Sequence, residues 1–168
     1  MTTNHVQQAD VALGATTDPR WADLADLALI ISREIQFRGY TDARAISLSP
    51  SEATVMRYLQ GEPAATPSRI AAATGLQRTN LSTVLRGLER KGLIERHASP
   101  QDGRGVTVDA TEHGRSNYAL VRREWAAAVS AAARNDTSNL DAALTLLTAV
   151  KAGLVDTRPH TPSSRPKA

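Results

Sequence analysis

The chain has 168 residues, of which 41% are hydrophobic and only 4% aromatic, so it can bury one ordinary core, built largely from helices that pack through small side chains. It contains no cysteine, which excludes disulfides, thiolate metal ligands and thiol redox chemistry. No apolar run reaches the roughly 18 residues of a membrane span, and the first residues lack the pattern of a signal peptide. We therefore expect a mainly helical cytoplasmic protein without a membrane segment.

The formal net charge of +3 is unevenly distributed along the chain. Residues 66–106 contain seven basic and three acidic side chains, a local excess of +4. The first 19 residues contain no lysine or arginine, and the last 12 are basic and rich in proline. We expect residues 1–19 to form a flexible N-terminal arm and residues 157–168 a disordered basic tail.

The first predicted helix runs from Trp21 to Arg38. Its apolar residues recur at helical spacing, and Leu27 and Ile30 form a second apolar stripe. A helix that is apolar on more than one side needs cover from its own domain and from a further partner. A second copy of the chain is the simplest such partner, so residues 20–40 are predicted to be a dimerisation helix.

Two shorter helices follow, each with a strong start signal. Ser49, Pro50 and Glu52 have the spacing of a capping box with proline in the first turn, and Gly61 follows as a stop. Thr66 and Pro67 repeat the start signal for a helix of about two turns.

The stretch from residue 77 to 108 predicts a third helix and a β-hairpin. Leu81, Val84, Leu85 and Leu88 share one helical face, and Gly92 ends the helix. The segments "LIERH" and "GVTVDA" alternate apolar and polar residues around the link "ASPQDGR", which is typical of a hairpin. Two helices, a third helix and a hairpin make a winged helix-turn-helix, which we assign to residues 41–110.

Two long helices complete the chain, within residues 111–156. Thr111 is a candidate cap for the first of them, and in the second, leucine, alanine and valine recur in steps of three and four from Leu140 to Leu154. We predict that these helices take part in dimerisation. The predicted fold class is thus mainly α with a small β contribution: a winged helix-turn-helix between long N- and C-terminal dimerisation helices.

The third helix has the side chains of a DNA recognition helix. Thr79, Thr83, Arg86 and Arg90 point away from its leucine face, and Asn80 and Ser82 flank them. Asparagine can bond adenine, threonine can touch thymine methyl groups, and arginine can bond guanine in the major groove. We predict base contacts from Thr79, Asn80, Ser82, Thr83 and Arg86, and phosphate contacts from Arg90 and Lys91.

The predicted hairpin tip carries Arg104 between two glycines. An extended arginine is suited to a narrow, electronegative minor groove, and Asp102 could brace the tip through a nearby arginine. A basic helix face or a single loop arginine is usually no more than a solvated surface. The prediction of double-stranded DNA binding therefore depends on the order of all four elements.

The segment "TPSRIAAATGLQRTNLSTVLRGLERKGLIERHASPQDGRGVTVDATEHG" resembles the DNA-binding core of MarR-family transcriptional regulators. The similarity lies in the helix-turn-helix, the "LE.KGLI.R" segment, the "D.R" wing and the "T..G" that follows it. It implies a homodimer with recognition helices in successive major grooves and wing arginines in the minor grooves. Matched residue by residue, Arg78, Thr79, Asn80, Ser82, Thr83 and Arg86 fall on the recognition helix, and Asp102 and Arg104 fall on the wing. Gln77 and Ala110 depart from common family residues.

The resemblance also implies a regulator, usually a repressor, that many members release from DNA when a small phenolic or aromatic acid binds. The sequence leaves open whether such an effector exists here. Candidate contacts are Trp21, Phe37, Arg38, Tyr40, Met56 and Tyr58, with Tyr118 and Trp125 as further aromatics, although residues of these types more often belong to a core. The cysteine-based peroxide-sensing branch of the family is excluded.

Other function classes find little support. The four histidines are scattered singly, so no metal site is predicted. Phosphate-binding loops, dinucleotide fingerprints and nucleophile elbows are absent from the sequence, so we expect neither an enzyme nor a cofactor. The alternative that stays open is a winged-helix adaptor that binds another protein without sequence-specific DNA binding.

Overall fold

The computed structural model describes residues 18–98 and 105–159. In chain order its elements are α1 (Arg20–Phe37), α2 (Pro50–Leu59), α3 (Pro67–Thr74), α4 (Arg78–Arg90), β1 (Ile94–Ala98), β2 (Val106–Ala110), α5 (Glu112–Ala132) and α6 (Leu140–Asp156). This mainly helical chain with one small antiparallel sheet confirms the predicted fold class. Almost all of the predicted N-terminal arm and basic tail lies outside the described residues.

The predicted start signals of α2 and α3 are both formed. The Ser49 hydroxyl accepts a hydrogen bond from the Glu52 amide at 3.3 Å, and the Glu52 carboxylate accepts one from the Ser49 amide at 2.8 Å, completing the capping box. Thr66 caps α3 by accepting from the Arg69 amide at 3.3 Å. These bonds satisfy amides that a helix start would otherwise leave without partners.

The sheet is the predicted hairpin, with Ile94 opposite Ala110 and Ala98 opposite Val106. On the other edge of β2, Ala65 bridges Val108 through two backbone hydrogen bonds of 3.2 and 2.9 Å. The residue before the cap of α3 thus extends the sheet. This bridge fixes the helix-turn-helix to the base of the wing, and no pattern in the sequence predicted it.

The core lies among α2, α3, α4, the two strands and the first half of α5. Leu81, Leu85 and Leu88 of α4 are buried, as their spacing predicts, and α5 contributes Tyr118 and Val121. The apolar face of α4 is therefore satisfied within the chain.

The start of α5 explains the "T..G" motif. The Thr111 hydroxyl donates to the Gly92 carbonyl at 2.8 Å and accepts from the Gly114 amide at 2.9 Å. A Cβ atom on residue 114 would lie 1.9 Å from the Leu93 carbonyl oxygen, so only glycine lets α5 approach the end of α4 this closely.

Two polar side chains of α5, not singled out by the sequence patterns, hold the segment between α1 and α2. The buried Asn117 amide accepts from the Ile46 amide at 2.8 Å and donates to the Ile46 carbonyl at 3.1 Å. Glu124 accepts from the Thr41 amide at 2.8 Å and from the Thr41 hydroxyl at 2.7 Å. The bond from the Thr41 amide is the main cause of the lowered pKa of Glu124.

The described residues divide into two compact units at Ala126–Ala127, so the division falls inside α5. Within the first unit α1 has no buried residue, and within the second α6 has none. Large apolar side chains on both helices are exposed: Trp21, Leu27, Leu29, Ile30, Ile31 and Phe37 on α1, and Leu140, Leu144, Leu146, Leu147, Leu154 and Val155 on α6. Across residues 18–98 and 105–159, no helix is long and apolar enough to cross a membrane.

Candidate nucleic-acid interface

The helix α4 exposes every side chain on it that the sequence assigned to DNA: Arg78, Thr79, Asn80, Ser82, Thr83, Arg86 and Arg90. At 100° per residue, Thr79, Thr83, Arg86 and Arg90 fall within an arc of about 60° opposite the buried leucines. We call these seven residues the α4 outer surface. The structure thus brings the predicted helical contacts together on one accessible element.

The hydrogen bonds within the α4 outer surface are weak. The Arg86 guanidinium lies 3.4 Å from the Thr83 hydroxyl, which lies 3.4 Å from the Thr79 carbonyl. Distances this long are at the limit of hydrogen bonding. Gln77 occupies the cap position of α4 without a capping hydrogen bond from its side chain. The side chains at the start of this helix can therefore exchange their contacts for bonds to a nucleic acid.

The ion pairs show where the local positive charge is free. Arg69 pairs with Glu62 at 3.0 Å and Arg96 pairs with Glu89 at 3.3 Å. Arg78, Arg86 and Arg90 have no carboxylate within ion-pair distance among residues 18–98 and 105–159. Within the described residues 66–98, the basic side chains without an ion pair are therefore those of the α4 outer surface, as an anionic partner of this segment requires.

Lys91, predicted to contact phosphate, has its ammonium group bonded within the chain. Its ammonium donates to the Ser47 carbonyl at 2.8 Å and to the two Glu52 carboxylate oxygens at 2.8 and 2.7 Å. An ammonium has three donors, and all three are used within the protein. The spacing within α4 cannot reveal the ion pair, because Glu52 lies 39 residues earlier in the chain. The capping box of α2 is also enough to explain a glutamate at residue 52.

The wing is described only at its base. Residues 99–104 lie outside the described residues, so the roles of Asp102 and Arg104 stay predictions. On the described base, Arg96 of β1 reaches Glu89 of α4, and His97 lies 3.4 Å from the carboxylate of Glu95. The first of these contacts ties the hairpin to the helix that it follows.

The six candidate effector residues lie on α1, on the segment that follows it and on α2. Met56 is fully buried in the core, and Tyr40 and Tyr58 pack against the core half-buried. Trp21 and Phe37 are 49% and 71% exposed, and the 16 positions between them on α1 span about 24 Å. Arg38, just after α1, is also exposed. Tyr118 and Trp125 form an edge-to-face pair with ring centroids 6.4 Å apart, and the effector role of all these residues stays a prediction.

A cleft with a volume of about 550 Å³ does lie beside the start of α2. Its lining is Gln36, Ile46, Ser47, Leu48, Ser49, Pro50, Glu52 and Lys91. None of the candidate effector residues is among them. In the described part of the chain, no group of three or more histidine, aspartate or glutamate side chains could hold a metal ion.

Comparison with known proteins agrees with this arrangement. The MarR family model matches residues 46–105. A helix-turn-helix-type transcriptional regulator of Mycobacterium bovis is 30% identical over 115 residues, which are 66% of this chain and 78% of that protein. FabT of Streptococcus pneumoniae, solved in complex with DNA, is 26% identical with a TM-score of 0.58, over 82% of this chain and 94% of FabT.

A further solved structure shares the fold at lower identity. The transcriptional regulator BldR of Sulfolobus solfataricus has a TM-score of 0.63 at 20% identity, over 80% of this chain and 96% of BldR. The relatives identified by sequence are named as transcriptional regulators and not as enzymes. With this identity over most of the length of a relative, and with the winged helix and its exposed α4, the chain belongs to the MarR family of transcriptional regulators.

Proposed function

We propose that this regulator is a repressor that binds double-stranded DNA sequence-specifically, as a homodimer on a pseudo-palindromic operator. The observation that carries the proposal is the α4 outer surface, where exposed polar side chains lie beside three arginines that form no ion pair with another described residue. The DNA complex of FabT, a relative with 26% identity, supports the same partner for this chain. A target on the chromosome would place the protein in the cytoplasm.

The proposed roles follow position along α4. Thr79, Asn80, Ser82, Thr83 and Arg86 contact base edges in the major groove, where short polar side chains and arginine distinguish base pairs. Arg78 and Arg90, at the two ends of the helix, hold phosphates. Asp102 and Arg104 act at the wing, with Arg104 in the minor groove.

The proposed homodimer is supported by the exposed apolar side chains of α1 and α6. A single chain that leaves so many leucine and isoleucine residues in water gains free energy by covering them. Two-fold symmetry would then present two copies of α4 to half-sites about one helical turn, roughly 10 bp, apart.

Release by a small aromatic or phenolic effector is a hypothesis that comes from the family. The six candidate residues would share a site if, in the dimer, Trp21 or Phe37 of one chain lay beside the other candidate residues of the second chain. Repression itself does not depend on this hypothesis.

The test is selection of bound duplexes from a randomised DNA pool, followed by titration of the selected and a scrambled duplex at one salt concentration. The proposal predicts an inverted repeat with half-site centres about 10 bp apart and tighter binding of the selected duplex. A protein-binding adaptor would enrich no sequence. Enrichment of a single asymmetric site would contradict the symmetric homodimer.

A further inference from the structure

Glu52 and Lys91 form an ion pair at the C-terminal end of α4, and the Lys91 ammonium also bonds the Ser47 carbonyl. Glu52 belongs to the first turn of α2 and is 7% exposed, and Lys91 is the C-cap residue directly after α4. Besides bonding Lys91, the Glu52 carboxylate caps the start of its own helix. One buried carboxylate therefore joins the beginning of α2 to the end of α4.

The electrostatics of the two helix ends favour this arrangement. A helix N-terminus attracts negative charge and a C-terminus attracts positive charge. Glu52 lies at the N-terminus of α2 and Lys91 at the C-terminus of α4, so each charge complements the end of its own helix as well as its partner. The Ser47 carbonyl takes the third ammonium donor, which fixes the direction of the lysine side chain.

The sequence of α4 leaves room for the carboxylate. Gly87 lies one turn before Lys91 on the same side of the helix. A Cβ atom at residue 87 would lie 3.0 Å from a Glu52 carboxylate oxygen. Glycine in a helix interior is less favourable than alanine, and here it lets the Glu52 carboxylate lie against α4.

Gly87 and Lys91 lie on the side of α4 between the buried leucines and the α4 outer surface. Apolar contacts are non-directional, so the leucines alone permit small rolls of the helix. A roll of about 15° moves a side-chain tip by more than about 1 Å on a helix of roughly 5 Å radius, enough to disturb a base contact. The Glu52–Lys91 pair is directional and resists such a roll.

We infer that Glu52 and Lys91 are positioning residues that set α4 for sequence discrimination without touching DNA themselves. The inference rests on the proposed function, because it presupposes that α4 contacts base edges. A positioning role and a purely structural role predict different effects on DNA binding. Loss of folded protein weakens binding to all DNA equally, whereas a loosely held α4 weakens the selected site more than scrambled DNA.

The test is the ratio of affinities for the selected and the scrambled duplex, measured with the full chain well below its melting temperature. Glu52→Gln removes the charge and keeps a side chain that can still form the capping box. We expect the ratio to fall about tenfold, the size of one lost base contact, while binding to scrambled DNA stays equal or tightens. Glu62→Gln makes the same charge change at the exposed pair with Arg69 and should leave the ratio unchanged.

Lys91→Met removes the positively charged partner of the same ion pair. It should lower the ratio by a similar factor, and the double variant should be no worse than the worse single variant, because both remove the same interaction. The dependence of affinity on salt should keep its slope. A slope reduced by about one would make Lys91 a phosphate contact and would overturn the inference.

The outcomes separate this inference from the proposed function. If the wild type enriches no sequence, the proposed function fails and the inference fails with it. If the wild type discriminates and Glu52→Gln retains the full ratio, only the positioning role fails. If Glu52→Gln proves too unstable to purify, Lys91→Met and the salt slope decide the matter.

Discussion

The winged helix-turn-helix and the helices α1 and α6 differ in whether the chain itself covers their apolar faces. In the winged helix-turn-helix, helices and strands bury one another's leucines, isoleucines and valines. Among the described residues, no buried side-chain nitrogen or oxygen atom lacks a hydrogen-bond partner. The helices α1 and α6 bury no residue at all. The spacing of apolar residues predicts an apolar helix face equally well in both regions. It does not show whether residues of the same chain or of another chain cover that face.

The largest effect is expected inside the winged domain. Leu88 is fully buried on the inner face of α4, so Leu88→Ala should cost about 2–5 kcal/mol of the free energy of unfolding through lost burial and a cavity. Chemical denaturation measures this cost. Leu29→Ala, at a side chain that is 70% exposed in the single chain, is the matched control on α1 and should cost far less unless a partner covers Leu29.

The exposed face of α6 should respond to charge through the assembly state. Leu147 is 44% exposed in the single chain, and Leu147→Glu would place an unpaired charge in the proposed dimer interface, where burial is costly. We expect sedimentation to show a dimer for the wild type at micromolar concentration and a shift towards monomer or unfolded chain for the variant. A wild type that sediments as a monomer would refute the dimer, and with it this explanation of the exposed faces.

Much of the winged domain could be predicted from the sequence because its signals are local. Capping residues, prolines in first turns and the glycines after α3 and α4 lie within a few residues of the element ends that they set. The Ala65–Val108 bridge, the Asn117–Ile46 bonds and the Glu52–Lys91 pair join residues at least 39 positions apart. No local pattern announces such pairs, which is why the sequence assigned Lys91 to phosphate and not to Glu52.

The wing tip should affect binding more than stability. Arg104→Ala should leave the melting temperature nearly unchanged, because an exposed side chain usually contributes little. It should reduce DNA affinity roughly tenfold through the loss of a charged contact. The loss should be larger on a site with A·T-rich flanks than on the same site with G·C-rich flanks, since groove width attracts this arginine. Equal affinity of variant and wild type for both duplexes would remove Arg104 from the interface.

The smallest effect on stability is expected at the hydrogen bonds between Glu124 of α5 and Thr41, in the segment before α2. Hydrogen bonds from Thr41 lower the pKa of Glu124 from its ordinary value of 4.5, so the ionised carboxylate stabilises the fold at neutral pH. This contribution is present above the ordinary pKa and is lost as the pH falls through the lowered one. Glu124→Gln should therefore melt slightly below the wild type at about pH 7, with the gap closing below about pH 4. A gap that stays constant over this range would contradict the assignment.

Sequence discrimination by α4 is tested most directly at Asn80, an exposed side chain near the start of the helix. The measurement is a titration of wild type and Asn80→Ala against the selected and the scrambled duplex at one salt concentration, with Arg90→Ala as the phosphate-contact control. We predict that Asn80→Ala loses about tenfold on the selected duplex and little on the scrambled one, whereas Arg90→Ala loses similarly on both. Equal losses on the two duplexes for Asn80→Ala would contradict the account.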